Sequence, residues 1–173
     1  MTDLASHIRD IPDFPKPGIQ FKDITPLLLD ADALSDAIGE LADWARPLDV
    51  DYVVAAEARG FILGGAIARD LGVGFVPARK PGKLPHETIA AEYILEYGVD
   101  ALEMHADALA DGARVLLHDD LLATGGTARA LAELIEGTGA RIAGCGFLVE
   151  LAFLGGRDRL AGYDVHALLS YDE

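Results

Sequence analysis

The chain has 173 residues, 51 % of them hydrophobic and 25 % charged, with a formal net charge of −15. That size and balance suit one soluble globular domain with its own core, and so negative a chain excludes a general nucleic-acid binder, whose phosphate contacts need a basic face. No apolar run reaches membrane-spanning length, no basic-plus-apolar leader opens the sequence, and the single cysteine, Cys145, cannot form an intrachain disulfide, so a reducing cytoplasm is the expected compartment.

In chain order, residues 2–10 are expected to form a short helix. "IPDFPKPGIQFKDITPLL", 11–28, holds four prolines and reads as an irregular segment with little ladder pairing. Residues 31–46 place Leu34, Ile38, Leu41 and Ala45 at helical spacing ahead of Pro47. "YVVAA", 52–56, reads as a buried strand, "GFILGGAIARDLG", 60–72, as a helix closed by glycine, and "VGFVPAR", 73–79, as a strand. "KPGKLPHETIAAEYILEYG", 80–98, breaks the pattern. Its first half is rich in proline, glycine and lysine, its second half alternates like a strand, and residues 100–105 are placed to pair with it. So long an excursion between core elements reads as a lid. A strand at 114–119, a helix at 126–139 and strands at 140–151 and 164–170 follow. Strand–helix alternation of this kind specifies an α/β domain with a mostly parallel sheet flanked by helices.

"HDDLLATGGT", 118–127, carries the clearest chemistry. Asp119 and Asp120 arrive at the carboxyl edge of a strand, where open α/β sheets bind ligands. "ATGGT" then offers hydroxyls, unhindered backbone N–H groups and the positive end of a helix, which suit a phosphate. The P-loop pattern and the dinucleotide turn are both absent. Two carboxylates accept from vicinal hydroxyls, or hold a magnesium ion through water. A ribose 5-phosphate has both a diol and a phosphate, which explains acidic residues beside an anion cradle; the plain alternative is an acidic strand end and an ordinary N-cap turn. The four lysines fall in two stretches, Lys16 with Lys22 and Lys80 with Lys83, which suits either a solvated surface or contact with an anion. Strand alternation sets His118 on the face opposite Asp119, as a core or helix-facing residue rather than a metal ligand. The other histidines show no ligand spacing.

"VLLHDDLLATGGT" resembles the phosphoribosyl-diphosphate signature of type I phosphoribosyltransferases. "DFPKPGIQFKDITPLL", "EARGF", "RKPGKLP", "LEYG" and "LVEL" are similar, in order, to the motifs of the members that use adenine. The resemblance runs from about Ile11 to Tyr171. It implies a type I phosphoribosyltransferase fold in one domain, 1–173, with a small N-terminal hood over 11–28 and a flexible lid loop over 80–98. It implies a purine-salvage enzyme that joins adenine to 5-phosphoribosyl 1-diphosphate with Mg2+, giving AMP and diphosphate. By the same resemblance Asp119 and Asp120 would hold the ribose, and Ala123, Thr124, Gly125, Gly126 and Thr127 the 5-phosphate. Arg59, Arg79, Lys80 and Lys83 would meet the diphosphate, with a cis peptide bond just before Arg59. Gln20, Phe21, Lys22 and Leu151 would hold the adenine. Glu96 and Tyr97 would swing over the site, with Glu96 as the catalytic carboxylate. A homodimer is implied, with neither nucleic acid nor membrane as partner. The resemblance departs from the commonest pattern at His118 and Gln20, where aliphatic residues are usual. Two alternatives stand beside it. One is a phosphoribosyltransferase for xanthine, hypoxanthine or orotate. The other is a non-catalytic regulator that binds the activated sugar and a nucleic acid, for which an acidic chain of 173 residues leaves no obvious room for a DNA-binding module.

Overall fold

The structure, a computed structural model, describes residues 2–95 and 98–172. After a 3-10 turn at Leu4–His7 come β1 (Arg9–Ile11), β2 (Phe21–Asp23), α1 (Thr25–Leu29), α2 (Ala31–Ala45), β3 (Tyr52–Ala56), α3 (Gly60–Leu71) and β4 (Gly74–Ala78). The chain continues through β5 (Thr88–Leu95), β6 (Gly98–His105), β7 (Arg114–Leu122), α4 (Gly126–Gly137), β8 (Arg141–Leu151), 3-10 turns at Ala152–Leu154 and Gly156–Leu160, and β9 (Val165–Tyr171). The central sheet has five strands in the order β4-β3-β7-β8-β9, and every neighbouring pair in it is parallel. Its strands are near-continuous apolar runs because both faces are covered. On one face Leu27, Leu41, Leu63 and Ile67 from α1–α3 pack on Leu116 and Leu148. On the other, Leu131 and Ile135 of α4 pack with Leu117 and Phe147, and with Leu102 and Met104 of β6.

Three expectations change. The opening residues form a single 3-10 turn rather than a helix, and the proline-rich segment is not free of pairing. Phe21–Asp23 pairs antiparallel with Arg9–Ile11, in the register Ile11↔Phe21. Third, the 80–98 excursion is not a free loop throughout: its second half pairs with the following strand as expected, in the antiparallel ribbon of β5 with β6. Its Tyr93, Leu102 and Met104 belong to the core, so this part is anchored rather than a free loop.

Helix α2 starts where Asp30 accepts from the backbone N–H groups of Asp32 and Ala33 at 3.1 and 2.9 Å, an N-cap that satisfies two orphan donors. Its buried stripe is Ala33, Ala37, Leu41, Ala42 and Ala45, one position ahead of the expected Leu34 and Ile38, which pack at its margin. The alanines let the helix lie close to the sheet. Gly39 lies within α2, with open space where a Cβ would stand. Gly39→Ala is expected to raise stability by about 0.5–1 kcal/mol, read as a higher urea midpoint with an unchanged slope.

Candidate functional site

β7 is longer than the strand expected over 114–119, and that length shapes the site. β3 pairs with β7 only as far as His118, while β8 stays paired to Leu122. Asp119 and Asp120 therefore overhang the end of β3, at the level where α3 begins. The approach is close. A Cβ on Gly60, the first residue of α3, would stand 2.7 Å from Asp119 Oδ1, so only glycine lets the carboxyl lie against that helix start. Asp120 is buried, 4 % exposed, and meets Arg59 across a 2.8 Å Nε–Oδ2 ion pair. Arg59 itself stands at the N-cap of α3.

The chain then turns through 123–125 into α4. Gly125 has φ +81°, and no side chain caps the helix. A non-glycine residue would be strained there, and its Cβ would stand 2.6 Å from Gly156 O. The N–H groups of the first turn of α4 are thus uncovered by any cap, and the partial positive charge of the helix start faces outward.

These parts line one cleft of about 270 Å3, walled by Glu57–Arg59, Lys80, Tyr93, Leu102 and residues 119–128. The structure thus brings together Asp119, Asp120, Ala123, Thr124, Gly125, Gly126, Thr127, Arg59 and Lys80. Arg79 and Lys83 are not on its wall. Arg79 Nε is paired with Glu57 Oε2 at 2.8 Å, its Nη1 donates to Lys83 O at 3.3 Å, and Lys83 is exposed. Lys80 is held by Asp100 and by Tyr93 Oη, the latter at 2.9 Å. Burial lowers the affinity of Lys80 for its proton, but the bonds to Asp100 and Tyr93 outweigh it, so its pKa rises. The bond from Lys80 holds Asp100 below the ordinary carboxylate range.

The four adenine candidates also lie off this wall. Gln20 is exposed and Phe21 half-buried. Lys22 is buried, with Nζ 2.6 Å from Asp10 Oδ1 and 3.9 Å from the Tyr171 ring centroid, so its side chain serves the hood's own packing. Leu151 is buried at the end of β8. One contact ties the hood to the cleft: the Arg59 guanidinium lies 5.4 Å from the Phe21 ring centroid, and Phe21 meets Phe14 edge to face at 5.1 Å. Glu96 and Tyr97 lie outside the described residues. The cis peptide bond is Glu57–Ala58, one bond earlier than expected; a second cis bond is Phe14–Pro15.

Sequence reasoning missed Glu57, Tyr93, Leu102 and Asp100. Glu57 sat inside the quoted "EARGF", and Tyr93 and Leu102 fall on the buried parity of the ribbon. Nothing local marks Asp100.

Asp119 is half-buried and held well above the usual carboxylate range, first by burial and next by the neighbouring Asp120 carboxylate. His118 is fully buried against α3, its Cδ2 3.3 Å from where a Cβ on Gly64 would stand, and its Nδ1 bonds Gly146 O at 2.9 Å. Burial pushes its pKa down to about 4, so it stays neutral in the folded chain. Since the unfolded ring protonates near 6.5, the share of stability that depends on His118 is expected to be whole above pH 6.5 and to fall by about 3 kcal/mol as the pH drops toward 4. Melting temperatures across that window check this, and His118→Val should flatten the slope.

Among the described residues no group of three or more His, Cys, Asp or Glu is placed to hold a metal ion. The hard oxygens of Asp119 and Asp120 fit a divalent cation that arrives with a ligand's own oxygen donors.

A five-stranded parallel sheet, a carboxylate pair at its edge and a glycine turn into the next helix define a phosphoribosyl transferase domain, and the family model of that description matches residues 27–166. The chain belongs to the adenine phosphoribosyltransferase family. It is 56 % identical over 171 residues to the adenine phosphoribosyltransferase of Rubrobacter xylanophilus, covering 98 % of this chain and 92 % of that one. The crystal structure of the enzyme from Thermoanaerobacter pseudethanolicus superposes with a TM-score of 0.95 at 53 % identity, covering 98 % of each chain. That of the Saccharomyces cerevisiae enzyme, complexed with adenine and an imino-altritol bisphosphate, gives 0.91 at 38 % identity over 96 % of this chain and 97 % of that one.

Proposed function

We propose that this chain transfers the 5-phosphoribosyl group from 5-phosphoribosyl 1-diphosphate to adenine, releasing AMP and diphosphate, a purine-salvage step. The observation that carries the reading is the single cleft in which Asp119 and Asp120 stand beside the uncapped turn at 123–127, with Arg59 and Lys80 opposite.

In this reading the two aspartates accept from the ribose hydroxyls, and the 123–127 turn holds the 5-phosphate through backbone N–H groups and the hydroxyls of Thr124 and Thr127. The bond from the anomeric carbon to the diphosphate oxygen breaks, a bond to an adenine nitrogen forms, and that nitrogen's proton leaves. Arg59 and Lys80 meet the departing diphosphate, and Arg79 and Lys83 join them when Arg79 releases Glu57. Asp119 and Asp120 would hold a Mg2+ that comes with the activated sugar, and it would supply charge neutralisation at the leaving group. Positive charge builds on the ribose, and Glu96 is the carboxylate assigned to stabilise it or to take the adenine proton, with Tyr97 closing over the site. Adenine lies under the hood, its edge read by backbone at Gln20 and Lys22 and its faces pressed by Phe21 and Leu151. Residues 80–98 work as the lid within one domain, and closure keeps water from hydrolysing the sugar.

Incubation with adenine, 5-phosphoribosyl 1-diphosphate and Mg2+ should yield AMP, and a panel with hypoxanthine, xanthine and orotate in place of adenine should not give the matching nucleotides. Glu96→Ala is expected to lower kcat by about 100-fold while shifting the melting temperature little. An unchanged kcat would return Glu96 to the surface. The reading also carries a homodimer, for which the exposed Leu29 and Ile62 supply apolar surface. Light scattering should give twice 18.3 kDa. Cytoplasmic residence goes with it: the lone thiol, Cys145, is buried, and that burial pushes its pKa up to about 12, which keeps it unreactive.

A further inference from the structure

Behind the 123–127 turn stands an ion pair that the reaction does not use. Glu150, near the end of β8, is 4 % exposed and lies in register with Leu122, the last residue of β7 before the turn. Both of its oxygens accept from Arg157: Nε–Oε1 is 2.7 Å and Nη2–Oε2 2.8 Å, while Nη1 donates to Val165 O of β9 at 2.7 Å. A carboxylate taken this far out of water is costly unless a cation pairs and hydrogen-bonds with it, as Arg157 does here.

What the pair holds is the 3-10 turn Gly156–Leu160, to which Arg157 belongs. This turn is the back wall of the 123–127 segment. A Cβ on Gly156 would overlap Ala123 O, and one on Gly125 would stand 2.6 Å from Gly156 O and 3.2 Å from Arg159 Cβ. Backbone meets backbone there with no room for a methyl group, so the place of one turn sets the place of the other. The wall has no side-chain cap of its own and follows Gly155 at φ +67°. Leu160 at its end is buried in the core, and at its start the Arg157 fork ties it to the sheet through Glu150 and Val165.

We propose that Glu150 and Arg157 are positioning residues for phosphate binding. Their bidentate pair braces the 156–160 turn so that the 123–127 backbone keeps the geometry that grips the terminal phosphate of the sugar. Neither side chain lines the cleft. The inference rests on the phosphate-binding reading of 123–127, and its test separates the two.

The test measures the ribose 5-phosphate Kd by calorimetry, the KM of the activated sugar and of adenine, kcat and Tm. E150Q is expected to raise the ribose 5-phosphate Kd and the sugar KM by about 10-fold, with the adenine KM changed less than about 2-fold. R157K, which keeps one charged contact, should fall between. E150Q/R157Q leaves no lone buried charge, so it gives the same shift even if a single variant folds poorly. R114A is the control for lost stability: Arg114 donates to Leu48 O and Asp49 O at the start of β7, far from the turn, and its loss should lower Tm with the Kd unmoved. If E150Q and E150Q/R157Q behave like R114A, or raise the adenine KM as much as the sugar KM, the bracing role is wrong. T124A/T127A isolates the underlying reading. Should it weaken ribose 5-phosphate while E150Q does not, only the brace fails; should it leave the Kd unmoved, the phosphate turn fails and takes the brace with it.

Discussion

Asp119→Asn is expected to melt higher than the wild type at neutral pH and to lose about 10–100-fold in kcat/KM for 5-phosphoribosyl 1-diphosphate. The stability gain follows from the raised pKa of Asp119, due first to burial and then to Asp120. A carboxyl whose folded pKa exceeds its unfolded value is most favourable to the fold below the unfolded value. That contribution is lost as the pH rises through the folded one. At pH 7 the folded chain therefore carries the cost of a carboxyl whose ionisation is opposed by burial and by Asp120, and a neutral amide of the same shape removes that cost, with about 2–4 °C in Tm for each kcal/mol relieved. The activity loss follows from the same charge. An amide keeps one acceptor for the ribose but turns two donors toward hydroxyls, and it offers nothing to the cation-like ribose; a charged hydrogen bond contributes about 1.5–3 kcal/mol. Calorimetric melts at pH 5 and 7.5 should show the gap between variant and wild type narrowing as the pH falls. A Tm equal to wild type at both values would contradict the burial of charge at Asp119.

The order of strands and helices in the sheet was legible because it follows from periodicity over long segments: 31–46, 52–56, 60–72 and 126–139 each carry their own pattern. The β1–β2 pair was not, because two three-residue strands separated by a proline-rich stretch leave no periodic signal and pair only through contacts distant in sequence. The same division runs through the site. Asp119, Asp120 and 123–127 are contiguous, so their chemistry could be read from one decapeptide. Which cations reach the cleft depends instead on carboxylates brought from elsewhere. Arg79 and Lys80 are neighbours in sequence, yet Glu57 draws Arg79 aside, while Asp100 and Tyr93 hold Lys80 at the wall. Leu102, on the cleft wall, read as a ribbon residue. Arg157 likewise carried no motif, since its meaning comes from Glu150 and from a 3-10 turn that composition does not announce.

Arg59→Ala is expected to lose activity as Asp119→Asn does, but with the opposite sign in stability. Arg59 holds Asp120 through the 2.8 Å Nε–Oδ2 pair. Truncation leaves a 4 % exposed carboxylate beside a second carboxylate, with no cation against it. The guanidinium is itself partly in water, 43 % exposed, so screening trims the loss to about 2 kcal/mol rather than the larger figure for a fully buried pair. In kinetics, removal of a contact proposed for the leaving diphosphate should lower kcat/KM by about 100-fold, and Arg59→Lys should recover part of it as a point charge without the fork. The double variant Arg59→Ala with Asp120→Asn separates the two roles. It discharges the orphaned carboxylate, so the melting temperature should return toward wild type while the activity stays below that of Asp120→Asn alone. A double variant as active as Asp120→Asn alone would mean that Arg59 serves only to neutralise Asp120 and never meets the substrate.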